Sequence, residues 1–291
     1  MRVKVISLLI AIVVFLSSCK VWTSAQNGFG LFQNRDSTSF NRIMKSKDYD
    51  FQLRMANRYY DKKDYNHAQQ LYEQLFPILK GGPQFEDIYY KFAFSYFNLK
   101  DYANAEHLFK GFVEVFPNSV RAEEMDYMRA YTYYKQSPKA DLDQTNTTKT
   151  IGFMQAFINT HPGSARNKDA TDIIDKCRIK LEMKDFKNAQ LYYDLQQYKA
   201  AGIVFNSLLN TYPDSERGDQ YKLFVIKSDY QYATLSVEEK RPERYQQVIT
   251  DCNDFIDRFP DSKLSKEVKD YLNLCQNNIK PPKNEQVKKT S

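Results

Sequence analysis

The amino-acid sequence predicts an all-α fold, in which about five helix pairs stack into a right-handed superhelical solenoid that ends in a capping helix. The composition, 42% hydrophobic and 27% charged, is typical of a folded soluble chain, and the Gly-rich phosphate turns of a doubly wound nucleotide fold are missing. The strongest indication is a short phrase that recurs four times, each time after an apolar helical pattern. Its copies are Phe116-Pro117-Asn118-Ser119, His161-Pro162-Gly163-Ser164, Tyr212-Pro213-Asp214-Ser215 and Phe259-Pro260-Asp261-Ser262.

Each phrase predicts the turn between two repeats. Proline ends the helix before it, because it has no amide donor and disfavours the α conformation of the preceding residue. The Asn, Asp or Ser that follows can accept a hydrogen bond from the free amides of the next helix. We therefore expect each phrase to join the second helix of one pair to the first helix of the next.

Small and aromatic residues recur at one spacing inside the first, second and fourth repeats. They are Ala56, Tyr59, Ala68, Tyr72 and Leu75; Ala93, Tyr96, Ala105, Phe109 and Phe112; and Ala189, Tyr192, Ala201, Phe205 and Leu208. This spacing resembles the tetratricopeptide repeat, in which small residues let paired helices touch and aromatic residues fill the space between repeats. The third repeat keeps Ala130 and Tyr133, and a degenerate fifth repeat uses 221–233 and 244–259 before a final helix over 264–279.

The prolines of the four phrases are 45, 51 and 47 residues apart, whereas the regular unit has about 34 residues. We expect the extra residues to extend helices or to fill loops. The clearest insertion covers 137–148, between the two helices of the third repeat.

The N-terminus is predicted to contain an export signal followed by a lipid attachment site. A 12-residue run, Val5 to Leu16, follows Arg2 and Lys4, and it is too short to span a membrane but suits a signal peptide. The order Leu16-Ser17-Ser18-Cys19 resembles the lipobox of bacterial lipoproteins. The resemblance implies a signal peptide over 1–18 and an acylated Cys19 that attaches the chain to a membrane; the alternative is an ordinary secretory signal with a chance cysteine.

The remaining boundaries follow from composition. Residues 19–40 are predicted to be a flexible tether, 41–279 the solenoid and 280–291 a disordered basic tail. Without residues 1–18, the chain has 40 basic and 36 acidic residues, a net charge of +4. This mild charge and the absence of a clustered basic stripe predict no nucleic-acid partner.

The sequence offers no constellation for catalysis. It has three histidines that lie far apart, and it contains no His-x-x-x-His, Cys-x-x-Cys or Gly-x-Ser-x-Gly motif. We therefore predict that the chain is not an enzyme and has neither a metal site nor a cofactor. Cys177, Cys252 and Cys275 leave two alternatives open, namely one disulfide between the last two or buried free thiols.

The 22 tyrosines and 20 phenylalanines exceed what the repeat core needs. In a solenoid of this kind the first helix of each pair lines the concave groove. Counted against the repeat, the predicted partner-binding residues are Asn57, Tyr60, Tyr90, Phe94, Phe97, Tyr127, Tyr131 and Tyr134. The same count places Leu53, Phe186, Gln190 and Tyr193 on this face, and the alternative is that many of these side chains are core. Such a groove suits an extended or helical peptide with large side chains.

The lipobox, the tether and the stretched repeats together resemble the BamD family of lipoproteins from the outer-membrane β-barrel assembly (BAM) machinery. The most specific match is Met125-Asp126-Tyr127-Met128-Arg129-Ala130, followed by a loop around Asp141-Leu142-Asp143-Gln144-Thr145. The resemblance implies a non-catalytic subunit in the outer membrane that faces the periplasm. Its N-terminal repeats would receive unfolded outer-membrane proteins, and its C-terminal repeats would hold the periplasmic domains of the core barrel subunit.

A second hypothesis predicts the same fold with other partners. In it the chain is a lipid-anchored scaffold for another cell-envelope process, such as peptidoglycan or nutrient-uptake assembly. The longer pitch and the basic tail, which depart from smaller members of the BamD family, leave additional subunit contacts open.

Overall fold

The computed structural model describes residues 39–279, and every regular element in that range is a helix. The predicted signal peptide, Cys19, the tether up to residue 38 and the basic tail lie outside these residues. The described chain forms two compact units. Unit 1 runs up to Gln136 and includes Asn159–Pro162, and unit 2 comprises Ser137–Ile158 and the chain from Gly163 onward.

Unit 1 contains the first two helix pairs and the first helix of the third. Its helices are α1 (39–44), α2 (Tyr49–Asp61), α3 (Tyr65–Leu75), α4 (Phe85–Asn98), α5 (Tyr102–Val115) and α6 (Ala122–Gln136). The turns within the two pairs are closed at Lys63 and Lys100, both in the left-handed conformation with φ of 62° and 64°. Asp64 and Asp101 follow them and cap α3 and α5, accepting from the amides of His67 and Asn104.

Unit 2 contains the longer helices. They are α7 (Thr145–Thr160, its last two residues counted with unit 1), α8 (Asn167–Asp194), α9 (Tyr198–Thr211), α10 (Gly218–Thr234), α11 (Arg241–Arg258) and α12 (Ser265–Ile279), with a 3₁₀ turn at Glu238–Lys240. The excess pitch resides mainly in α8, which has 28 residues. The predicted insertion is shorter than expected, because α7 already begins at Thr145. The capping helix is α12, which packs on α11 and α10.

The repeat positions predicted from the sequence form the core. Eleven of these predicted residues have no exposed surface, namely Ala56, Ala68, Tyr72, Leu75, Ala93, Ala105, Phe109, Phe112, Ala189, Ala201 and Phe205. Small residues at helix contacts and rings between helices are the features by which tetratricopeptide repeats pack. The structure therefore confirms an all-α tetratricopeptide fold.

In each repeat of unit 1, the tyrosine three residues after the alanine of the first helix is covered by an element that precedes that helix in the chain. Tyr96 on α4 accepts a hydrogen bond from Gln69 Nε2 of α3 at 2.9 Å, and Tyr133 on α6 is hydrogen-bonded to Glu106 of α5. Tyr59 on α2 lies against the rings of Phe40 and His67, at 5.9 and 5.0 Å between centroids. Helix α1 thus packs on the first repeat.

Phe40 is the last residue of the predicted tether, yet its side chain is buried. Its ring lies 4.2 Å from that of His67, and the buried Gln52 donates to the carbonyls of Ile43, Met44 and Ser46 behind it. The folded part of the chain therefore includes residues 39 and 40, and the predicted end of the tether at residue 40 is too late.

In three of the phrases the serine, and neither the Asn nor the Asp beside it, organises the turn; these serines are Ser119, Ser215 and Ser262. Ser119 Oγ accepts from the amide of Arg121 at 3.0 Å and donates to Glu86 Oε1 at 2.6 Å, on the first helix of the preceding pair. Ser262 joins Leu264 N to Asp219 in the same way, and Ser215 joins Arg217 N to Glu182. Ser119, Ser215 and Ser262 therefore each link two neighbouring repeats.

The three cysteines of unit 2 are buried free thiols, so the disulfide alternative does not hold in this structure. Burial, together with the neighbouring Cys275, raises the pKa of the Cys252 thiol to about 12. Burial raises the pKa of Cys275 to about 11. Both side chains are therefore uncharged at neutral pH and pack as small hydrophobic groups between α10, α11 and α12.

Candidate interaction surface

Six of the eight predicted partner-binding residues form a continuous row of rings in unit 1, which we call the aromatic row. The centroid distances are 4.5 Å for Tyr90–Phe94, 6.4 Å for Phe94–Phe97, 6.1 Å for Phe97–Tyr131, 5.9 Å for Tyr127–Tyr131 and 5.7 Å for Tyr131–Tyr134. These residues lie on α4 and α6, at the positions that line the groove in the repeat count. The row therefore crosses from the second repeat to the third.

The aromatic row rests on the core of unit 1. The fully buried ring of Phe109 lies 5.3 Å from Phe94 and 6.2 Å from Phe97. Tyr127 is buried, and the other five rings are half-buried. Such rings are fixed in place and present one face or edge to a ligand, so little side-chain entropy is lost on binding.

The remaining two predicted residues, Asn57 and Tyr60, lie on α2. Asn57 Oδ1 accepts from Tyr72 Oη at 2.8 Å and from Lys91 Nζ at 2.9 Å. The Tyr60 ring packs edge-on against Tyr65 and Tyr72. Burial and the neighbouring Tyr90, Tyr65 and carboxylates raise the pKa of Tyr60 well above its usual range. Its hydroxyl therefore stays protonated and can donate a hydrogen bond.

A strip of charged residues accompanies the aromatic row. Arg121 stacks over the Tyr90 ring at 4.5 Å and contacts Asp87 Oδ1 through both terminal nitrogens, at 3.1 and 3.2 Å. Lys91 Nζ reaches the other oxygen of Asp87 at 2.7 Å, and Tyr90 Oη donates to Glu124 at 3.0 Å. Burial alone would raise the pKa of Asp87, but hydrogen bonds and charge from Lys91 and Arg121 outweigh it and hold the pKa low. The strip links α2, α4 and α6 and fixes the orientation of Tyr90.

Sequence reasoning missed this strip, because charged residues on an amphipathic helix are usually solvated. The signal that could have found it is the 34-residue separation of Asp87 and Arg121. This separation is close to one regular repeat and places the two side chains at the starts of successive first helices, Asp87 in α4 and Arg121 immediately before α6.

A second aromatic cluster lies in unit 2, around the positions predicted for the fourth repeat. Phe186 is 5.7 Å from Phe224, and Tyr193 is 5.9 Å from Phe224 and 5.3 Å from Tyr198. Lys227, at the corresponding position of the fifth repeat, lies 5.5 Å above Phe224 and pairs with Glu267 of α12 at 2.7 Å. Leu53, counted with the groove from the sequence, is instead buried in unit 1.

Residues 39–279 were predicted to contain no metal site, and their helices bear on how the chain could meet a membrane. No helix in that range combines the length and apolar character that a membrane crossing requires. The same residues contain no cluster of three or more His, Cys, Asp or Glu side chains that could hold a metal ion. The aromatic row and the charged strip beside it supply rings, hydroxyls and charges that are paired with one another.

These features define a class of protein, the proteins built from tetratricopeptide repeats. Within this class, the chain matches the model of the outer membrane lipoprotein family YfiO over residues 50–240. The chain belongs to this family of outer-membrane lipoproteins of the BamD type.

Two solved structures are distantly similar to the chain. The TPR2AB domain of yeast Sti1 in complex with a pHSP90 has 11% identity and a TM-score of 0.36, covering 78% of this chain and 98% of that one. A putative kinesin light chain from Podosopora anserina with TPR-like repeats has 11% identity and a TM-score of 0.30, covering 78% and 92%. No curated protein matches the chain.

Proposed function

We propose that this lipoprotein is a non-catalytic subunit of the machinery that folds and inserts β-barrel proteins into the outer membrane. In this proposal the aromatic row of unit 1 receives segments of unfolded barrel proteins. The C-terminal repeats in unit 2 hold the periplasmic domains of the core barrel subunit. Cys19 carries the lipid that keeps the chain on the membrane, facing the periplasm. Membership of the family and the geometry of the aromatic row support the proposal.

The main observation in favour of substrate binding by the aromatic row is the spacing of its rings. Alternate side chains of an extended strand lie on one face about 6.6 Å apart. The steps along the aromatic row from Phe94 through Phe97 and Tyr131 to Tyr134 are 6.4, 6.1 and 5.7 Å. Strands of outer-membrane barrels alternate apolar and polar residues and carry aromatic girdles. An unfolded barrel strand can therefore place successive apolar side chains on successive rings.

A titration tests the substrate surface. We expect Tyr60→Ala combined with Phe94→Ala to weaken binding of a labelled C-terminal peptide from an outer-membrane barrel protein by about tenfold or more, because two large anchors are lost. Fluorescence anisotropy measures the affinity. The circular dichroism spectrum and Tm are recorded as well, because Phe94 also packs on Phe109.

His107→Ala is the matched control, since this side chain is exposed on α5. It should leave the affinity unchanged. Unaltered binding by the folded double variant would show that the peptide site lies elsewhere.

Affinity purification of the lipidated chain from solubilised membranes tests the assembly. A stoichiometric outer-membrane barrel with periplasmic domains supports the proposal. A different envelope complex in its place would transfer the function to the scaffold hypothesis.

A further inference from the structure

Tyr192 of the fourth repeat is exposed, whereas the tyrosines at the same position of the other repeats are covered by a neighbouring element. Tyr59, Tyr96 and Tyr133 in unit 1 each contact an element that precedes them in the chain. Tyr192 holds the same position in the fourth repeat, yet 44% of it is exposed. Its hydroxyl makes no hydrogen bond with any residue in the described range 39–279.

Tyr192 lies in an exposed apolar stripe near the C-terminal end of α8. Leu191 is 56% exposed and Leu195 is 60% exposed, and residues spaced by three or four share a helix face. We call Leu191, Tyr192 and Leu195 the open α8 face.

The N-terminal part of the same side of α8 is already covered. Lys180, Lys184 and Lys187, spaced by four and three residues, lead along the helix towards Leu191 and Leu195. Lys180 Nζ contacts Ser137 Oγ at 2.6 Å, Lys184 Nζ donates to the carbonyl of Leu142 at 2.8 Å, and Lys187 Nζ pairs with Asp141 at 2.5 Å. The loop before α7 is thereby held on α8, and its contacts end before Leu191.

The repeats of unit 1 show what covers this position. For Tyr96 and Tyr133, the covering helix carries a fully buried alanine followed by a polar residue that bonds the tyrosine. Ala68 precedes Gln69, which bonds Tyr96, and Ala105 precedes Glu106, which bonds Tyr133. The alanine lets the two helices approach, and the polar residue satisfies the hydroxyl.

We propose that the open α8 face binds an amphipathic helix of a protein partner, in the manner of a second helix from a preceding repeat. The incoming helix carries an Ala-Gln or Ala-Glu pair opposite Tyr192, with apolar side chains against Leu191 and Leu195. Its Gln or Glu bonds the tyrosine hydroxyl. This surface is separate from the aromatic row, so the inference stands or fails independently of barrel-substrate binding.

Photo-crosslinking in the intact envelope tests the occupant. Para-benzoylphenylalanine replaces Tyr192 or Leu195 in the full-length lipidated chain, and mass spectrometry identifies the crosslinked peptide. We expect both positions to join the same amphipathic helix, which contains Ala-Gln or Ala-Glu. The control position is Ile203 on α9, which is 63% exposed. It corresponds to the solvent-facing His107 of the second repeat. A photo-crosslinker at this position should give no adduct with the amphipathic helix.

Other crosslinking outcomes overturn the proposal. They are adducts with lipid, adducts with a second copy of this chain, adducts with a partner segment that is not an amphipathic helix, and no protein adduct at either position. The identified segment, made as a peptide, then serves as the probe in a titration.

Two variants of the full chain complete the test. Leu191→Ser with Leu195→Ser should abolish measurable binding of that peptide, and Tyr192→Phe should weaken it about fivefold, because one hydrogen bond is lost. Both changes are on the surface, so Tm should stay close to that of the parent. Unchanged affinity in either folded variant would rule out this mode of docking, whereas barrel-peptide binding should persist in both.

Discussion

At the scale of single residues, Asp229 shows how one repeat departs from the pattern. It takes the place that tyrosine holds in the first four repeats, and the residue that faces it on α9 is Gly202. A Cβ atom at Gly202 would lie only 2.6 Å from Asp229 Oδ1, so the carboxylate occupies the space of the missing side chain. Burial, followed by repulsion from Asp251, raises its pKa to about 6, although Lys222 opposes the shift. The buried Lys222 is already paired with Asp251 at 2.8 Å and Asp254 at 2.6 Å.

This carboxyl should make the stability of unit 2 depend on pH. Its folded pKa of about 6 exceeds the ordinary 3.8, so the folded state holds the proton more tightly than the unfolded state. The resulting stabilisation is complete below about pH 4 and is lost as the pH rises through about 6. Asp229→Asn removes the ionisation and should raise the free energy of unfolding by about 2–3 kcal/mol at pH 8 relative to the parent, with a smaller gain at pH 5.

Urea unfolding at pH 5 and pH 8 measures this difference. The exposed carboxylate of Asp257 on α11 provides the control, since Asp257→Asn should give the same small effect at both pH values. A gain from Asp229→Asn that does not grow between pH 5 and pH 8 would contradict the assignment.

At the scale of elements, the turn serines decide how one helix pair is fastened to the next. Ser119 bonds an amide in its own turn and a carboxylate on the preceding pair, whereas Asn118 is exposed and makes no hydrogen bond through its side chain among the described residues. Ser119→Ala should therefore lower the free energy of unfolding by about 1–2 kcal/mol, because Glu86 loses its donor and the Arg121 amide its acceptor.

Asn118→Ala changes the neighbouring residue of the same turn and should be nearly neutral. Chemical denaturation of both variants measures the difference. Equal losses in the two proteins would mean that the turn sequence as a whole, and not the serine bridge, fastens the repeats.

The elements themselves were largely predictable. Prolines and small residues at fixed spacing indicate helix pairs whatever the neighbouring loops do, and α12 begins one residue from its predicted start. Helix α1 was missed, because 39–44 is too short to show a helical period. The length of α8 could have been read from the absence of Gly and Pro between residues 167 and 194.

The candidate surface was predictable only in part: its aromatic residues were predicted from the sequence, and its charged residues were not. The repeat count placed six aromatic residues that the structure joins in one row, since their order follows from the helix period. The strip of Asp87, Lys91 and Arg121 was not foreseen, because pairing across repeats depends on how two helices pack. The exposure of Tyr192 was not foreseen either, since it follows from the extension of α8 and not from any property of the residue itself.

At the scale of the whole molecule, we propose that attachment to the membrane depends on Cys19, which lies outside the described residues. The chain belongs to a family of outer-membrane lipoproteins, and none of the helices within 39–279 is suited to crossing a bilayer. The proposed anchor is the lipid on Cys19. Each buried methylene contributes about 0.8 kcal/mol, and one acyl chain alone binds only marginally, so stable anchoring requires more than one chain.

Replacing the anchor cysteine should separate folding from attachment. Cys19→Ala should move the protein from the membrane pellet to the soluble fraction once partner complexes are dissociated by a high-salt wash, while the circular dichroism spectrum and Tm of the helical units stay unchanged. Quantitative immunoblotting of the two fractions measures the shift. Cys177→Ala is the matched control, because it also removes one thiol but from a buried site in α8, and it should leave the protein in the pellet. Retention of the washed Cys19→Ala protein on the membrane would refute the lipid anchor and point to an attachment surface on the folded units instead.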